Sequence, residues 1–168
     1  LGIKLYDKEF IRMAAQRSGM DEQYIVRNEQ SIPSFWLKCI LSKNSEQPLE
    51  SSLSSDDVLF VSESKIIQEL AARESCIIVG RCADFILKDD DVDILSVFIT
   101  APLADRITRE MDVDDMNETQ AKKFIRKMDM RRKNYYNYFT KGDWGKKNTY
   151  DLILNSSKLG VEGTVDIL

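Results

Sequence analysis

Guanidinium groups dominate the chemistry this chain offers. Arg106 and Arg109 stand three residues apart, and Arg126, Asp129 and Arg132 repeat that spacing further on, so that on helices each set shares a face. Arg81 and Asp84 follow directly on a short apolar run, Cys76 to Val79, that stops at Gly80. Histidine is absent, which removes the commonest general base, the commonest metal ligand and any Ser-His-Asp or Cys-His machinery. Phosphoryl transfer survives that restriction, because it is mostly positioning plus positive charge around the moving group, with magnesium bridging the donor oxygens. Planar guanidinium groups match phosphate oxygens bidentately. The same spacing also suits two solvated basic helices with pairs such as Arg106 with Glu110, Glu118 with Lys122 and Asp129 with Lys133. Arg131 has no such spacing.

Strands and helices alternate in the order needed to position these groups. Ile3 to Tyr6 reads as a short strand, and Asp7 suits the N-cap of a helix through Phe10 and Ala14 to Gly19 at its C′ position. Arg12 rides on that helix. A second helix begins at Asp21 and a third at Pro33, with an exposed loop expected from Ser42 to Asp57. The apolar spacing from Val58 to Arg73 predicts an amphipathic helix packed on a sheet. Cys76 to Val79, wholly apolar, reads as a strand buried on both faces, ending where ligands bind in open α/β sheets. Ile94 to Thr100 is a further strand, and Pro102 suits the N1 position of the next helix. Asn117 with Gln120 forms a variant capping box for a long basic helix. Leu152 to Asn155 is the last strand and Val161 to Leu168 a closing helix. The class is α/β, with a parallel sheet covered by helices on both faces.

With 168 residues the chain is long enough for one domain with its own core. A net charge of -4 gives no basic field to hold polymeric nucleic acid. No apolar run reaches the roughly 18 to 20 residues of a membrane span, and the expected setting is the cytoplasm. Cys39, Cys76 and Cys82 lack metal-ligand spacing and read as small hydrophobes. Homo-oligomerisation stays open.

Four stretches, LYDKEFI, IIVGRCADFIL, KMDMRRKNYYNYF and NTYDLILNSSKLGVEGTVDIL, make the chain similar to the cytidylate kinase-like family, a branch of the P-loop nucleoside monophosphate kinases. The resemblance implies a three-layer P-loop NTPase-type fold over residues 1–168, with a helical insert at about 20–45 and a helical lid at about 104–147. It implies ATP and Mg2+ as cofactors and a small nucleotide such as CMP as acceptor. Such proteins open with a strand and a glycine-rich phosphate loop. None of the seven glycines here fits that loop, and the chain starts at Leu1, so the expectation is that a leading segment supplies it.

By the same resemblance Arg81 aligns with the arginine that holds the acceptor phosphate, and Asp84 orients it. Its alternative is a structural arginine. Asp7 lies where the family has its acceptor-site aspartate, with Lys8 in place of serine and Arg12 one residue short of the matching arginine. A plain N-cap is the other reading of Asp7. Asp129 and Arg132 match a substrate-binding Asp-x-x-Arg pair, and Arg106, Arg109, Arg126 and Arg132 become the catalytic arginines of the lid. Replacing Arg81 by alanine is expected to cost turnover and leave the fold intact. Tyr135, Tyr136, Tyr138, Phe139 and Trp144 either stack on a base or pack the lid. Three functions remain: a kinase acting on CMP, a non-catalytic nucleotide-binding relative that regulates a partner, or a small-metabolite kinase of the same fold.

Overall fold

A computed structural model describes residues 2–28 and 55–168. The helix expected from Pro33, Cys39 and most of the loop expected over residues 42–57 lie outside the described residues; Ser55 to Asp57, expected in that loop, are instead helical. Two compact units are present, Leu1–Ile94 and Leu95–Leu168.

In the first unit, β1 (Lys4–Tyr6) pairs in parallel with β2 (Cys76–Ile78), Tyr6 opposite Ile78. Helices α1 (Lys8–Ser18), α2 (Glu22–Asn28) and α3 (Ser55–Arg73) surround a core of Tyr6, Phe10, Ala14, Ile25, Leu59, Ile66, Ile67 and Leu70. Each buried Ile or Leu stabilises by roughly 1.5 to 3 kcal/mol relative to exposure. Gly19 closes α1 in the left-handed conformation, φ 70°, and its N–H donates to the Ala15 carbonyl at 2.9 Å. That is the C′ glycine its position implies. Asp21 opens α2, its side chain accepting from the Gln23 N–H at 2.9 Å.

The expectation of a strand buried on both faces is corrected at β2. Ile77 and Val79 are 47% and 52% exposed, because β2 pairs with β1 alone among the described residues and the core lies on one face of that pair.

In the second unit, β3 (Val97–Thr100) pairs in parallel with β4 (Leu152–Asn155). Its helices are α5 (Leu103–Asp114), α6 (Glu118–Thr140) and α7 (Ser156–Ile167). Pro102 is the N-cap of α5 rather than its first helical residue. The closing helix starts at Ser156, where the Asn155 side chain caps it, and breaks at Gly160 before continuing from Val161. The class is therefore mixed α/β with small parallel sheets.

Asn117 and Gln120 make a reciprocal capping box at α6, with side chain to backbone N–H distances of 2.9 and 3.0 Å. Asn117→Ala should cost about 1 kcal/mol, read as a midpoint shift in denaturant unfolding at unchanged slope. Behind α6 the aromatic cluster packs inward: Phe98 meets Trp144 at 5.2 Å and Tyr150 at 4.9 Å between ring centroids. Tyr135 and Tyr136 are buried. Gly145, at φ 77°, lies so close that a Cβ there would stand 3.3 Å from the Phe98 ring.

The Asp151 carboxylate ties the start of β4 to β3, accepting from the Ser96 N–H at 2.7 Å and its hydroxyl at 2.9 Å. Those bonds, the backbone one first, hold its carboxyl below the ordinary aspartate range. The hydrogen bond from Arg17 lowers Glu69 in the same way, and those from Arg73 and Tyr6 lower Glu74. A depressed carboxyl binds fewer protons folded than unfolded. Its stabilisation is thus complete above the unfolded value of about 4 and is lost as pH falls through the lower folded value. Melting temperature should fall between about pH 4.5 and 2, less steeply in Asp151→Asn; identical acid profiles would show that Asp151 carries none of it.

Candidate functional site

In the first unit Asp7 and the turn that carries Arg81 both follow the carboxyl ends of the parallel pair. Tyr6 stands opposite Ile78 and the Val79 N–H donates to the Tyr6 carbonyl at 3.3 Å, so Asp7 and the turn after β2 leave the same edge. Gly80, Arg81 and Cys82 then take consecutive left-handed conformations, φ 70°, 58° and 56°. Glycine adopts this freely, but for Arg81 and Cys82 it costs on the order of 1 kcal/mol or more each, a strain typical of functional turns. The turn leads into the short helix α4 (Ala83–Ile86), which carries the half-buried Asp84 in its first turn.

Arg81 is buried rather than lying open on a rim. Its Nη1 donates to Oε1 of Glu63 on α3, and the two side chains are 5% and 2% exposed. The Phe10 ring of α1 lies 5.3 Å from its guanidinium carbon, at cation–π distance. Glu63 and Phe10 were not among the candidates read from the sequence. The signal was available for Glu63, which interrupts an apolar stripe of α3 formed by Leu59, Ile66, Ile67 and Leu70. A carboxylate on a core-facing stripe needs a buried cation.

Burial bears on the expectation that Arg81→Ala leaves the fold intact, since the change removes a buried charged partner of Glu63. Asp7 is exposed at the N-cap of α1 but forms no capping hydrogen bond through its side chain. Arg12 is exposed on α1. Cys82 is buried, and loss of solvent pushes its thiol well above its ordinary range, so it behaves as a hydrophobe.

In the second unit the structure joins three of the five candidates. Arg106 on α5 donates bidentately to Asp129 on α6, at 2.8 and 2.7 Å. Arg132 Nη1 lies 4.0 Å from the same carboxylate. The Asp129 hydrogen bonds raise the Arg106 pKa further, so the guanidinium stays charged at any working pH. This inter-helix pair takes Asp129 from the local partner Lys133 that spacing suggested. Arg109 is exposed on α5 and does not share in the ion pairs of that carboxylate. Arg126 is exposed and lines a shallow groove with Glu118, Thr119, Lys122 and Lys123. Among the described residues no three acidic, cysteine or histidine side chains cluster to hold a metal ion. No helix among them is long and apolar enough to cross a membrane.

Comparison with known proteins identifies one family. The sequence model of the Cytidylate kinase-like family matches residues 1–158. Among solved structures, an uncharacterized protein from Eubacterium ventriosum ATCC 27560 is similar at 31% identity and a TM-score of 0.61, over 67% of this chain and 70% of that one. No curated protein matches.

Proposed function

Because the chain belongs to the cytidylate kinase-like family, we propose that it binds nucleotides and transfers the γ-phosphoryl group of ATP to a nucleoside monophosphate such as CMP, giving CDP and ADP. The observation that supports this reading is the strained Gly80–Cys82 turn, which carries Arg81 just past the carboxyl end of β2, as Asp7 follows the carboxyl end of its parallel partner β1. That edge is where open α/β sheets bind ligands.

On this reading Arg81, with Arg12, Asp7, Asp84 and Asp129, serves the acceptor. Arg106, Arg109, Arg126 and Arg132 belong to a helical lid over about 104–147 and offset charge on the transferred group. The fold is the three-layer P-loop type, one kinase-like domain working on small soluble nucleotides in the cytoplasm. The acceptor's phosphate, with a second pKa near 6, is already an anion at neutral pH. No general base is needed, which suits a chain without histidine. The family suggests ATP and Mg2+; where bound, such an ion would supply positive charge to the phosphates. Among the described residues no three acidic, cysteine or histidine side chains cluster to hold a resident metal, and on this reading the arginines serve to position anions.

An ADP-release assay on the full-length protein, with ATP and a panel of monophosphates, tests the proposal. Turnover with CMP is the expected result. Failure of every acceptor while ATP still raises the melting temperature would favour the non-catalytic relative, which the departure at Lys8 also suits. Turnover of a phosphorylated metabolite alone would favour the third reading.

A further inference from the structure

We infer that Glu63 is a positioning residue for the acceptor-phosphate site, fixing the plane of the Arg81 guanidinium; this rests on the acceptor-binding reading of Arg81. Glu63 sits on the core-facing stripe of α3 and is 1% exposed. A buried ion pair is a poor way to gain stability, because apolar residues of similar volume usually do as well or better. What the pair provides is orientation. The guanidinium is a rigid planar fork of five N–H donors, so a carboxylate bonded at Nη1 sets the direction of the remaining donors. Phe10 bounds the group on one side, and the left-handed turn at Gly80, Arg81 and Cys82 fixes where the side chain starts. A phosphate recognised by Arg81 therefore meets a fork whose angle Glu63 has chosen.

The test compares full-length wild type, Glu63→Gln and Glu63→Asp by calorimetric CMP titration and steady-state kinetics, with folding checked by circular dichroism. Glutamine keeps the shape and one acceptor oxygen but loses the carboxylate charge opposite the guanidinium. Its Kd for CMP and its acceptor KM should rise about tenfold, with kcat at saturating CMP and the KM for ATP within about twofold of wild type. A purely structural role would lower the folded fraction and leave the constants of the folded enzyme unchanged. Wild-type CMP affinity in folded Glu63→Gln overturns the inference. So does tighter binding, which would make Glu63 a competitor of the phosphate. If Glu63→Gln does not fold, Glu63→Asp, which keeps the charge but retracts it, must show the same KM-specific loss. Should wild type itself bind no CMP and turn over no monophosphate, the acceptor reading fails and takes this inference with it, a pattern distinct from indifferent variants of a binding wild type.

Discussion

Glu63→Ala and Arg81→Ala should each lower stability by about 3 to 5 kcal/mol, the largest effect expected of any single substitution in the first unit. Both side chains are at most 5% exposed and each is the other's charged partner. Removing one takes from a buried charge a partner that helps to offset its desolvation. In a chain of this size the loss corresponds to a fall in melting temperature of about 6 to 20 °C. Replacing both together by apolar residues, Glu63→Leu with Arg81→Met, should recover most of it, since no charge is then stranded. Denaturant and thermal unfolding of the two single variants and the double variant check this. A single variant within about 1 kcal/mol of wild type would show that the pair is solvated in solution.

The second large effect falls on turnover. Arg106→Ala and Arg132→Ala should each lower kcat/KM by at least about tenfold, the loss of one charge-assisted contact to a phosphoryl oxygen. Their stability should change far less than for Arg81, because Arg106 is about one-third exposed and Arg132 nearly half. Asp129→Ala should cost a similar factor by another route, since its carboxylate holds Arg106 bidentately across α5 and α6. Arg106→Ala and Asp129→Ala combined should therefore be clearly less than additive. Steady-state kinetics of the four proteins measures the coupling. Wild-type kcat/KM in both arginine variants would remove α5 and α6 from the phosphoryl-transfer site.

The two predictions differ because the two arginines meet their carboxylates in different surroundings. Glu63 and Arg81 face each other out of water, so losing one of them is expected to cost the unit stability. Asp129 and Arg106 face each other in partial solvent, where a pair contributes little to stability but still fixes geometry.

Local order was determined by the sequence itself. The capping box at Asn117 and Gln120, the left-handed Gly19 and the strand Leu152–Asn155 all stand where spacing and residue type put them. Each depends on contacts within a few residues, which a linear pattern records. Family membership was legible for the same reason, in short contiguous stretches such as IIVGRCADFIL. What only the tertiary structure decided is the partner of each charge. Glu63 and Arg81 are 18 residues apart, and Arg106 and Asp129 are 23 apart. Phe98 joins the aromatic cluster only because β3 runs beneath Trp144 and Tyr150. A guanidinium carries the same charge and reach wherever it stands in a chain, so its sequence neighbours say little about which carboxylate will face it. Only the packing of helices against strands brings one to it and sets how much water lies between.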